Sequence, residues 1–139
     1  MFKILTDLNL TKLFLLAILL RVLIMPFYFH PDIKTYNYQS AFLKKGVFNI
    51  YNYLVDNKNS LPIREEFTYF PLTYISLGAY QILISPLLGP NFSTWISDAS
   101  SQVVEKVGTF RYLFLLKLPY LIVDLSIPFL LIKFFDSNV

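Results

Sequence analysis

The sequence has no cysteine, which removes disulfides, thiolate zinc sites, CxxC redox chemistry and cysteine nucleophiles together. Its single histidine, His30, leaves no multi-histidine metal site, and no metal ligand set is expected. Four glycines and eight prolines in 139 residues are too few for a collagen-like or linker composition. Charged residues make up only 15% of the chain, against about 25% in ordinary globular proteins. The net charge of +3 is spread without a basic block, so nucleic acid is not an expected partner. What fills the place of charge is 55% hydrophobic residues gathered in long runs. That excludes both disorder and an ordinary soluble domain. The expectation is an all-α integral membrane protein.

Crossing about 30 Å of hydrocarbon takes about 20 helical residues, and three segments reach that length. Residues 8–29 form the first, read as an uncleaved signal-anchor helix. A signal peptide would end its shorter apolar core at a small-x-small site, and none follows Met25. Residues 70–89 form the second, with Pro71 in a first-turn position and Gly89-Pro90 as its stop. Residues 111–135 form the third, carrying Lys117, Asp124 and two prolines, Pro119 and Pro128. Prolines are accepted in membrane helices when neighbours re-satisfy the freed carbonyls.

Residues 30–69 make a polar connection longer than a helix turn needs. Asp32 is placed to cap a surface helix from Ile33 to Lys45, ended by Gly46, with Lys44 and Lys45 in its last turn. Ile33, Tyr36, Ala41 and Phe42 give it a loosely amphipathic face, and Phe48, Ile50, Tyr51, Tyr53 and Leu54 follow as an aromatic cluster suited to a membrane boundary. The second connection, residues 90–110, has room for a surface helix over 93–106. A positive-inside count gives four cations to the N-terminal tail and second connection and six to the first connection and C-terminal tail. Taken alone, that count puts the large loop in the cytoplasm.

Arg21, Lys117 and Asp124 lie inside hydrocarbon-length runs, where an ionised group costs at least about 2.5–3.5 kcal/mol unless it finds a partner or a polar cavity. Snorkelling is the plainer alternative. It serves Arg21 poorly, eight residues and roughly 12 Å from Phe29, and Asp124 is too short for it. With one span between them, spans one and three are expected to cross in the same direction. Arg21 and Asp124 then sit at depths agreeing to about 2 Å, and should pair or bracket one polar site. Lys117 and Asp124, seven residues apart, share a helix face about 10 Å apart and are not expected to pair directly.

The ordered series Arg21, His30-Pro31-Asp32, Tyr36, Ala41–Leu43, Gly46, Asn49-Ile50-Tyr51, Tyr69-Phe70-Pro71-Leu72-Thr73-Tyr74 and Leu116-Lys117-Leu118-Pro119-Tyr120 with Asp124-Leu125 resembles one membrane superfamily. It is similar to the N-terminal part of the GT-C glycosyltransferases, nearest to the glucosyltransferases of asparagine-linked glycan assembly and their prokaryotic relatives. Phe70 stands where that family has the first of two prolines, and Tyr74 follows Thr73 directly. The resemblance implies a polyprenyl-phosphate-linked sugar (dolichyl or undecaprenyl) as donor substrate and further transmembrane helices of a parent enzyme as partners. It implies a fragment inactive alone, a cytoplasmic N-terminus and residues 30–69 outside the cytoplasm. It makes Asp32 the catalytic base, with Arg21, His30, Tyr36, Tyr69, Lys117 and Asp124 around the substrate, and leaves any divalent metal open. Glu65 and Glu66 are lesser candidates for a second acid, better read as solvated loop charges.

Plainer readings stand beside these. Asp32 before Ile33 is a good N-cap whether or not it is a base, and tyrosines near a bilayer boundary are expected as an aromatic belt. Two other classes fit the hydropathy: a small membrane scaffold or assembly subunit with its charges as interhelical glue, and a transporter fragment with proline-broken helices.

Overall fold

The computed structural model describes residues 2–99 and 108–136, so the part of the expected helix at 93–106 that falls on 100–107 lies outside the described residues. Among them the chain is helical and without strands. The elements are α1 (Phe2–Ile24), α2 (Pro31–Ser40), a 3-10 turn (Ala41–Lys45), α3 (Ile50–Asp56), α4 (Pro71–Leu88), α5 (Phe92–Ser97) and α6 (Thr109–Asp136). The all-α expectation is met. Of the described residues, one helix, Pro71–Leu88, is long and apolar enough to cross a membrane.

Local chemistry sets the boundaries. The first apolar run was expected to stay regular to Phe29, but Pro26 disfavours helix at Met25. α1 therefore stops at Ile24, in a turn closed by the Phe27 amide on the Ile24 carbonyl at 3.0 Å. α2 starts with Pro31 at its first position, where a missing N–H is harmless. The cap is not Asp32 but His30, whose Nδ1 accepts from the Asp32 amide at 3.3 Å. Proline at N1 moves the boundary one residue earlier than the aspartate pattern suggests. The expected Ile33–Lys45 helix is an α-helix to Ser40 that tightens into the 3-10 turn, and Gly46 ends it at φ +79°, a left-handed geometry that glycine adopts without strain. α4 matches the expected 70–89 segment, with Pro71 at its start and Gly89 past its end.

The core gathers Phe42, Ile50, Tyr74, Trp95, Tyr112 and Leu113 between α2, the 3-10 turn, α4, α5 and the first half of α6. α2 is not the surface helix expected. Lys34, Thr35, Asn37, Gln39 and Ser40 are all buried, because α4, α5 and α6 close around them. Gln81 of α4 donates Nε2 to the Asn37 carbonyl at 2.7 Å and to its Oδ1 at 3.0 Å. Gln39 Nε2 reaches the Glu65 carbonyl at 2.6 Å. Asn37 Nδ2 bonds back to the Ile33 carbonyl at 2.7 Å. The close approach of the 3-10 turn to α4 depends on Gly78, where a Cβ would lie 2.7 Å from the Leu43 side chain and from the Ser40 carbonyl.

α6 is the axis on which the other long helices lie, and both run against it. Phe27 meets Phe110 at 5.1 Å between centroids, Lys117 Nζ donates to the Met25 carbonyl at 2.8 Å, and Arg21 reaches Asp124. Falling numbers on α1 match rising numbers on α6. α4 behaves alike: Arg111 caps the Leu88 carbonyl at 3.0 Å, and Tyr80 donates to the Leu115 carbonyl at 2.8 Å. The Leu115 carbonyl is the acceptor that Pro119, four residues on, cannot use. α4 thus supplies the re-satisfaction that an interior proline requires.

This overturns the expectation that α1 and α6 run in one direction. It also brings the two connections together, since α2 touches α5 and Lys34 Nζ donates to the Asp98 carbonyl while lying 5.5 Å from the Trp95 ring. Hydropathy counts crossings but cannot see that α1 runs against α6.

Candidate functional site

Beyond Lys117 the second half of α6 leaves the core and lies against α1. Its outward side chains, among them Ile122, Val123 and Leu130, are exposed, as are Leu16, Leu19 and Leu23 of α1. Between the two helices runs an open groove of about 670 Å³. Arg21, Lys117 and Asp124 all line it, with Tyr28, Ile33 and Tyr120. Arg21 Nε donates to Asp124 Oδ2 at 2.6 Å, with both side chains 49% exposed. The pairing expected from depth alone is present, although the helices run in opposite directions. An antiparallel pair shares a mid-depth level as a parallel pair does.

Lys117 is a different kind of group. It is buried, and its ammonium holds the carbonyls of Met25 and Tyr28 beyond the end of α1. Those carbonyls have no further helical turn to accept from, so the lysine takes the place of the missing amides and offsets the negative end of the helix. It also lies 5.4 Å from the Tyr28 ring centroid. As expected, it does not pair with Asp124. Among the described residues Arg21 pairs through Nε, which leaves its two terminal amino groups able to donate to a phosphate oxygen.

Asp32 lies in the first turn of α2, next to groove-lining Ile33. It is exposed, and its Oδ2 is 3.6 Å from His30 Nδ1. Tyr36, one turn further along, projects from the same side of α2 as Asp32. Its ring meets Tyr69 at 4.4 Å, edge to face, and its hydroxyl is 3.0 Å from Thr68 Oγ1. Phe67 backs both rings, at 5.7 Å from Tyr36 and 6.3 Å from Tyr69, and Tyr51 donates to the Tyr69 carbonyl at 2.5 Å.

The expected residues therefore fall into two neighbouring sets joined by the start of α2. Arg21, Lys117 and Asp124 share the groove, while Tyr36 and Tyr69 form an aromatic wall, with Asp32 and His30 exposed beside α2's first turn. Glu65 and Glu66 are exposed loop residues, and Glu65 serves through its carbonyl. Among the described residues no cluster of carboxylates and histidine is arranged to hold a metal. Neither Tyr28 nor Tyr120 was among the expected site residues, although Tyr120 ends the Leu116–Tyr120 run of the ordered series. The available signal was spacing, since Tyr120 lies three residues after Lys117 and four before Asp124, on their helix face. No family model, curated protein or solved structure matches the chain.

Proposed function

We propose that this chain is the N-terminal portion of an integral-membrane GT-C-type glycosyltransferase that moves a sugar from a polyprenyl phosphate to a lipid-linked glycan or protein acceptor. The observation that carries the reading is the ion-paired Arg21–Asp124 and buried Lys117 in one groove between apolar, outward-facing helices, with an exposed carboxylate one residue from the groove wall. The ordered residue series described above supports it independently. Asp32 takes the acceptor hydroxyl proton. The acceptor oxygen bonds to the anomeric carbon as the bond from that carbon to the phosphate oxygen breaks, and the electron pair leaves on the phosphate. One base without a carboxylate nucleophile makes this a single displacement with inversion. Arg21 is the cation placed to meet the growing phosphate charge. Tyr36 and Tyr69 offer ring faces and edges to the sugar. α1, α4 and α6 are the membrane helices, completed by further helices of the parent enzyme.

The test is Asp32→Asn in the parent enzyme, assayed for transfer from a polyprenyl-phosphate sugar with membrane insertion checked. Turnover falling by about 10²-fold or more supports the role; retained turnover removes it.

One observation favours a second reading. Three alternating crossings need α1 and α6 parallel and the two connections on opposite sides, whereas α1 runs against α6 and α2 touches α5. That arrangement suits a membrane scaffold subunit without catalysis, anchored by an α1–α6 hairpin. Single cysteines at Asn59 and Thr94 separate the two: labelling from opposite sides of a sealed vesicle supports the transferase topology, and labelling from one side supports the scaffold.

A further inference from the structure

A second cavity of about 550 Å³ shares no lining residue with the α1–α6 groove. The 3-10 turn, α3, the second half of α4 and α5 bound it, and its walls include Phe42, Tyr53, Leu61, Ile82 and Ile96. Its existence follows from two choices in the sequence. Gly78 lets the 3-10 turn seat on α4, and Ser85 of α4 with Ser93 and Ser97 of α5 are too small to fill the space beside it. The volume lies in the range of about 300–1,000 Å³ typical of small-molecule sites, and the lining has their usual character, apolar with a few polar groups.

The charge at the cavity has one sign. Among the described residues Lys44 and Lys45 are its only charged lining residues, both exposed in the last turn of the 3-10 segment, and no carboxylate joins them. Lys45 Nζ lies 4.9 Å from the ring centroid of Phe42, a wall residue, so a cation stands beside the apolar lining. Covering Phe42 accounts for the stem of Lys45. It does not account for two adjacent cations beside an apolar cavity that holds no acid among the described residues.

We propose that this cavity binds a single-chain anionic amphiphile, with its acyl tail against Phe42, Leu61, Ile82 and Ile96 and its carboxylate or phosphate head at Lys44 and Lys45. The inference stands apart from sugar transfer: either can fail without the other.

The chain carries its own reporter. Trp95 is its one tryptophan, buried in α5 between wall residues Phe92 and Ile96, with its ring stacked on Phe92 at 6.1 Å between centroids. A brominated acyl chain in the cavity would quench it. The experiment titrates the full chain in non-ionic detergent with dibromostearic acid, with a brominated lysophosphatidic acid, and with the neutral methyl ester of the first. Saturable quenching by either anionic probe, weakened about tenfold or more in Lys44→Gln/Lys45→Gln, supports the proposal, and the better probe names the head group. Ser85→Phe, which fills the cavity, should abolish the saturable phase while circular dichroism stays unchanged. Quenching that rises without saturation, that is equal for acid and ester, or that is unaltered in the lysine variant overturns it.

Discussion

Removing one partner of the Arg21–Asp124 pair measures the medium around α1 and α6. The bond is short, 2.6 Å, yet each side chain is 49% exposed. Half of the pair thus faces whatever surrounds the two helices. In water, an ion pair of this kind contributes about 0.2–1 kcal/mol. In hydrocarbon, the charge left behind costs at least about 2.5–3.5 kcal/mol, roughly 60- to 400-fold in the folded-to-unfolded ratio. Arg21→Met strands the Asp124 carboxylate and Asp124→Leu strands the Arg21 guanidinium. Each should lose about 2.5 kcal/mol or more. The double variant strands nothing and should return to within about 1 kcal/mol of the parent, because an apolar pair replaces an ionic one at little net cost. The assay is equilibrium unfolding of all four proteins in lipid bicelles titrated with a denaturing detergent, read by circular dichroism. Losses below about 1 kcal/mol, adding to within about 0.5 kcal/mol in the double variant, would refute the argument that these helices face lipid.

Three further outcomes follow from the packing. Tyr80→Phe should cost about 1–3 kcal/mol in the same unfolding assay, because it strands the Leu115 carbonyl that Pro119 leaves free; no loss would mean another group serves that carbonyl. Gly78→Ala should lower stability by about 1–3 kcal/mol, outweighing the gain in helix propensity of up to about 1 kcal/mol, since the added Cβ meets the Ser40 backbone carbonyl at 2.7 Å. Thermal unfolding checks the sign. Burial, with the nearby Tyr53 adding to it, holds the Tyr38 hydroxyl above its ordinary value. Its neutral form therefore contributes stability fully present below a pH of about 10 and lost as pH rises through the folded value. Tyr38→Phe should flatten that alkaline decline in a pH series of melting temperatures, and an unchanged slope would assign the decline to other groups.

What the sequence disclosed was what local chemistry controls. Pro71 and Gly89 bound α4 where expected, Gly46 ends the 3-10 turn, and the positions of two charges within long apolar runs were enough to pair Arg21 with Asp124. What it concealed depends on partners far along the chain. Asn37 and Gln39 belong to a helix expected at the surface, because Gln81 and the Glu65 carbonyl, which bond to them, lie 44 and 26 residues away. The direction of α1 against α6 was hidden for the same reason: it is set by Lys117 seizing the carbonyls beyond α1, and hydropathy has no term for that. The capping role passed from Asp32 to His30 through one proline. That change leaves the Asp32 carboxylate outside the capping bond.

The account rests on lipid covering the outward faces of α1 and α6, and the absence of cysteine makes that claim directly measurable. Single cysteines at Leu16 and Leu130, 50% and 66% exposed, and at exposed Asn59 are treated with a membrane-impermeant maleimide in intact and in opened vesicles. If lipid covers these faces, Asn59 labels rapidly in at least one of the two preparations, and Leu16 and Leu130 label in neither until detergent is added. Labelling of Leu16 and Leu130 as fast as Asn59 in opened vesicles would place those faces in water and contradict it.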